Sequence, residues 1–150
     1  MTNILKFLYE LFGYSKGMSN MLMRIGSDCV PSGASQYPVM FYGILISVVI
    51  FYLFHYHFLN SASFNKKSSC WVMGLFLALA NFVIGFVWTR DLAATADYCR
   101  DEGVAGQQDF ILFGLASATI SFIIWAILTS SPVPRRFAGV NMNQTTLWKP

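Results

Sequence analysis

The chain's two histidines, His55 and His57, stand two residues apart in "FYLFHYHFLN", near the end of a long apolar run. Imidazoles bind metals or haem and carry protons. Residues two apart on a helix, however, lie about 200° apart around its axis and cannot turn to one ligand from the same face. A metal shared with Cys70 would lack the fourth ligand of a tetrahedral site. Other chemistries are equally without a motif: the sequence has no Gly-rich phosphate loop, no paired-cysteine motif and no HExxH. The acidic cluster "DYCRDEG" (97–103) reads as a charged loop that caps and solvates a short helix suggested by "DLAATA", rather than as a cation site. His55 and His57, beside Tyr52, Tyr56 and Phe58, fit instead an interfacial belt, where polar-tipped rings sit at the headgroup level. Trp71 and Trp88, at the ends of the next apolar run, serve as further interfacial anchors. No catalytic residue, cofactor or metal is expected, and the protein reads as non-enzymatic.

The elements that must position these residues follow from composition. The 150 residues are 55% hydrophobic, 17% aromatic and only 11% charged, where a soluble domain carries roughly 25% charged residues. Three segments, 37–59, 70–88 and 110–129, contain no Asp, Glu, Lys or Arg. As helices they would extend roughly 34, 28 and 30 Å, enough for a hydrocarbon core of about 30 Å. The fold class is therefore an all-α integral membrane protein. Its expected parts are a membrane-surface segment and loop over 1–36, a bundle of three transmembrane helices over 37–129, and a basic tail over 130–150.

Within the first part, Ile4, Leu5, Leu8, Leu11 and Phe12 recur at helical spacing, while Lys6, Glu10 and Lys16 interrupt any continuous span. That pattern predicts an amphipathic helix lying on the membrane. Met18, Met21, Leu22 and Ile25 predict another turn or two after Gly17, and "GSDCVPSG" marks a loop. The alternative is a fourth, imperfect membrane helix within 4–26 whose charges partners would cover. A signal peptide's arrangement is missing, so no cleavage is expected.

Small residues line the spans. Gly74, Ala78, Asn81 and Gly85 share one face of the second, with Leu77 expected off that face. Gly114, Ser117, Ala118 and Ser121 repeat the device in the third, and Gly43 and Ser47 stand in the first. Such faces permit close backbone approach, of these helices to each other or to another subunit. Asn81 near mid-membrane would add a hydrogen bond of about 0.6–2 kcal/mol that fixes register. Lining a pore or a ligand is the other reading of Asn81. A pump or proton-coupled transporter generally needs an ionisable residue at depth, and none of the three spans contains Asp, Glu, Lys or Arg.

Three spans put 1–36 and 89–109 on one side and 60–69 and 130–150 on the other. The ten basic residues divide five and five, while all seven acids fall on the first side, leaving five minus seven, or −2, against +5. "NKKSS" and "PVPRRF" beside helix ends favour 60–69 and 130–150 as cytoplasmic, with the N-terminus and 89–109 noncytoplasmic. Cys29 and Cys99 share that noncytoplasmic side and are candidates for one disulfide, with Cys70 reduced at the other face; three unrelated thiols are the alternative. The sequon-like "NQT" at Asn143 falls in the cytoplasmic tail, where glycosylation does not occur.

The order of features is then a familiar one: an "SDC" loop, a span, a short basic turn, "LALANFVIGFVWTRDLA", a Cys-bearing loop, "ATISFIIWAILTS" and "PVPRRF". Over about residues 27–137 this resembles the last three helices of a MARVEL-type tetraspan vesicle membrane protein, most closely the synaptophysin and synaptogyrin group. Gly85, Phe86 and Trp88 match that group's Gly-Phe and aromatic at the end of the third helix, and Ser121 to Trp125 its Ser-Ile-x-x-Trp pattern. The chain departs from the family at 1–26, where a first span should stand, and in lacking a long Tyr/Gly/Pro-rich tail. The resemblance implies a non-enzymatic protein that organises lipid and partner proteins in vesicle membranes, with a lumenal disulfide. Its expected partners are the lipid bilayer and other membrane-protein subunits, identical or different, and not nucleic acid. The other functions that suit three spans are a small oligomeric channel or holin-like pore former and an accessory subunit of a larger membrane complex.

Overall fold

A computed structural model describes residues 2–26, 29–30, 33–58, 67–95 and 105–130. The described chain forms α1 (Thr2–Glu10), α2 (Lys16–Leu22), α3 (Tyr37–Leu53) continued by a π-helical turn (Phe54–Phe58), α4 (Lys67–Thr95) and α5 (Gln107–Ser130). Three stretches, Tyr37–His57, Ser68–Thr95 and Gln107–Ser130, are long and apolar enough to cross a membrane. The protein is mainly helical, and the class expected from composition holds at that level.

Boundaries follow local chemistry. Gly13, at φ 76°, takes the left-handed conformation that ends α1, and its N–H donates to Glu10 O at 2.9 Å. Ser15 then caps α2, its hydroxyl accepting from Met18 N at 3.3 Å. Because this break divides 2–22, α1 extends only about 14 Å, and the imperfect fourth span considered for 4–26 does not form as a continuous helix. Pro38 stands in the first turn of α3, where its missing N–H would have no helical partner. At the other end α4 runs on through Arg90 and Asp91 to Thr95, so most of "DLAATA" belongs to α4 instead of forming a separate helix.

Contacts divide the chain into two units, one within 1–43 and 81–117, the other within 44–80 and 118–150. In the first, Tyr9, Met18, Leu22, Tyr37 and Phe113 are among the fully buried side chains; in the second, Ile44, Tyr56, Leu77 and Trp125. Only 22%, 28% and 33% of the most apolar windows of the three long helices are buried within the chain. Val49 and Ile50 on α3, Leu75 and Leu79 on α4, and Ile123 and Ile127 on α5 are each at least half exposed. The inward faces are narrow and the outward faces apolar.

Hydroxyls on these helices turn back on their own backbones. Ser47, Thr89, Ser117, Ser121 and Thr129 donate to Ile44, Gly85, Phe113, Ala118 and Trp125 carbonyls at 2.8–3.0 Å. A helix in hydrocarbon satisfies its polar groups in this way without water.

Candidate functional site

In the first unit the sites are built around Asp109. Gly106 precedes α5, and Asp109 in its first turn accepts from Gly106 N at 2.8 Å, the side-chain half of a capping box. The same carboxylate reaches across the chain: Ser15 N donates to Oδ1 at 2.7 Å and Ser15 Oγ to Oδ2 at 2.9 Å. One acid therefore caps α5 and holds the start of α2. Beside it the Tyr14 and Tyr37 hydroxyls lie 2.7 Å apart, tying the same linker to the first residue of α3. Burial pushes the Tyr14 phenol above its ordinary value, and neighbouring Tyr37 adds to the rise, so Tyr14 stays neutral. Tyr9 stacks on Phe113 at 4.7 Å. Burial raises the Tyr9 phenol as well; its hydroxyl makes no hydrogen bond among the described residues, and Ser117 Oγ donates to the Phe113 carbonyl.

On α1 and at Leu11, just beyond its end, the apolar positions divide. Leu5 is buried with Tyr9, while Ile4, Phe7, Leu8 and Leu11 are 38–67% exposed. Between them Lys6 pairs with Glu10 at 3.6 Å, and Glu10 accepts from Ser19 Oγ of α2 at 2.7 Å.

The small residues mark contacts within each unit. In the first, a Cβ added at Gly85 would lie 2.9 Å from Ser117 Oγ and 3.3 Å from Gly114 Cα. One added at Gly114 would lie 2.9 Å from the Phe82 carbonyl oxygen. In the second, a Cβ at Gly74 would lie 2.7 Å from the Trp125 ring and 3.0 Å from Phe122. Asn81 and Ser121 are buried, whereas Ala78 and Ala118 are half-buried. Leu77 is fully buried, contrary to its expected place off the packed face: the inward line of α4 runs Cys70, Gly74, Leu77, Asn81, Gly85 and Thr89. Gly43 is exposed, with open space where a Cβ would stand.

The two histidines part company. His57 is exposed, but His55 is wholly buried, its ring 5.8 Å from Trp125 and 4.8 Å from Tyr56, both edge-on. Among the described residues neither ring nitrogen of His55 has a hydrogen-bond partner, nor has the Tyr52 hydroxyl. The π-helical turn carries both histidines, and such turns are frequent at functional sites. Trp125 Nε1 donates to the Cys70 carbonyl at 3.2 Å, seating the indole over Gly74. His55 is thus an interior residue of its unit rather than a ring in a surface belt. Trp71 is 39% exposed with its ring 5.6 Å from Phe122, and Trp88 is half-buried 6.3 Å from Phe113.

Among the described residues no three His, Cys, Asp or Glu side chains gather as a metal site. Cys70 is a buried free thiol, and Cys29 is not a free thiol. Cys99, the acidic cluster 97–103, Asn65 and Lys66 of the basic turn, and the tail with Asn143 lie outside the described residues. Spacing alone did not disclose Asp109 as a tether or Trp125 as the cover of Gly74. The Gly106-x-x-Asp109 pattern was a usable signal for the cap; nothing local announces a bond to Ser15, 94 residues away.

The fold and sites define a helical chain with three apolar helices of membrane-crossing length. Comparison with known protein families, with curated proteins and with solved structures finds no match.

Proposed function

We propose that this chain is a non-enzymatic multi-pass membrane protein that organises the membrane or partner proteins around it, with vesicle membranes as its setting. The observation that carries the reading is the division of each long helix. Outward faces keep large apolar side chains; the inward faces of α4 and α5 set Gly, Ser and Thr, their hydroxyls satisfied locally, among larger side chains, and that of α3 buries Tyr37, Met40, Ile44 and Val48. Outward faces of this kind suit lipid and the helices of other membrane proteins.

In this arrangement 60–69 and 130–150 face the cytoplasm, and the N-terminal helices and 89–109 the opposite side. Cys29 and Cys99 are joined across that second side; the support is their shared side, the state of Cys29, and burial of the third cysteine, Cys70. The MARVEL-type resemblance supplies the vesicle setting.

Reconstitution tests the reading. Lipid vesicles holding the purified chain should stay tight to small ions, and mild detergent should recover an assembly larger than one chain. Unitary conductance would replace an organiser with a pore, and a strictly single chain would remove the assembly role.

A further inference from the structure

A groove of about 390 Å³ opens between α1 and α2, within the roughly 300–1,000 Å³ typical of small-ligand sites. Two pairs of side chains, each four residues apart and so on one helix face, line it: Lys6 and Glu10 from α1, Lys16 and Asn20 from α2. The first pair neutralises itself at 3.6 Å, and Ser19 Oγ further occupies Glu10. Lys16 is exposed, and among the described residues it has no ion-pair partner and the Asn20 amide no hydrogen bond, so the α2 side offers a cation and an amide donor to an incoming anion.

The groove's position narrows what that anion is. The linker between α1 and α2 is tied to the first residue of α3 through Tyr14 and to the first turn of α5 through Asp109. The groove therefore lies at the level where two apolar helices begin. Ile4 and Phe7 on α1, with Leu11 just beyond its end, turn an exposed apolar face outward. Charge in the groove next to an outward apolar face matches a ligand with a phosphate head and acyl chains. We propose that this groove binds the headgroup of an anionic phospholipid, with its phosphate on Lys16 and Asn20 and its chains along the outward face of α1. The inference rests on the membrane reading above and goes beyond it, to a lipid class and a site.

The full chain in mild detergent, analysed by native mass spectrometry, tests this with phosphatidylglycerol and phosphatidylcholine carrying identical acyl chains. Phosphatidylglycerol should be retained about fivefold better, the equivalent of about 1 kcal/mol for one lysine near a charged surface. Lys16→Ala should bring the two lipids to parity, Lys16→Arg should keep the preference, and Asn20→Ala should lower it. Arg90→Ala, which removes an exposed cation outside the groove, should leave it unchanged. Parity in the unaltered chain, or an equal loss in Arg90→Ala, overturns the site while leaving membrane insertion standing. Soluble glycerophosphate at matched concentration should fail to displace the lipid; displacement would assign the groove to a free phosphate ester instead. Should Lys16→Ala lose its helical circular dichroism, Lys16→Arg and Asn20→Ala carry the decision, and a preference equal in all forms refutes the proposal.

Discussion

Three donors converge on the Asp109 carboxylate, which is 8% exposed, and two of them come from Ser15 at the start of α2. A carboxylate accepts at both oxygens, whereas an amide of the same shape accepts at one and presents donors at the other. Asp109→Asn must therefore set its NH2 either against Ser15 N, at the Oδ1 position, or against Gly106 N and Ser15 Oγ, at the Oδ2 position. Hydrogen bonds to charged groups contribute about 1.5–3 kcal/mol each. Losing one should release the α2 tether by about 2 kcal/mol and speed amide exchange over residues 16–22 roughly thirtyfold. Exchange in 118–130, in the other unit, should hold. Equal protection of 16–22 in both proteins would show that Met18, Met21 and Leu22 keep α2 docked by packing alone. His55 gives the contrasting lesson at this scale. Its neighbours in sequence suggested a surface belt, yet Trp125, 70 residues away, lies edge-on to its ring. A local window cannot reveal that a distant indole covers an imidazole.

Close packing along α4 and α5 depends on which atoms face each missing Cβ. At Gly114 the obstacle is a backbone carbonyl, Phe82 O at 2.9 Å, which cannot rotate away; at Gly74 it is an indole held by its bond to the Cys70 carbonyl. Overpacking of this kind costs about 1–3 kcal/mol. Gly114→Ala and Gly74→Ala should both lower the melting temperature in detergent. Gly43→Ala, entering open space, should be neutral or gain up to about 1 kcal/mol from helix propensity. Equal melting of all three would remove backbone approach as the packing device. The three long apolar runs were legible because their length and lack of charge depend on nothing distant. The face of α4 was legible only in part: Gly74, Asn81 and Gly85 marked its line, but an i, i+4 reading took Ala78 in place of Leu77, which falls between them and is fully buried. Small size signals a close contact; a leucine at the same seam carries no such signal because it suits lipid equally well.

On the proposed three-span topology the acids all fall on one side, and so do two of the three cysteines, while Cys70 is fully buried and free. A bridge from Cys29 to Cys99 would enclose two complete spans. The chain-entropy account assigns a loop of that length roughly 4 kcal/mol, less whatever membrane confinement has already removed from the unfolded state. Its structural effect would fall on the segment leading from α2 into α3, where Gln36 N already donates to Leu22 O at 2.7 Å. The bridge would thus lock the segment between α2 and α3 to the loop preceding α5, the helix whose first turn holds Ser15. Digestion without reductant should release a peptide pair containing Cys29 and Cys99. Cys70 should react with a thiol reagent only after denaturation, because no part of its side chain reaches the surface. In a variant lacking the native cysteines, single cysteines at Ser63 and Gln108 should label from opposite sides of the membrane. Free thiols at Cys29 and Cys99 in protein kept from reductant would remove the bridge. Labelling of Ser63→Cys from outside an intact cell would reverse the orientation, placing the α1–α2 groove on the cytoplasmic leaflet.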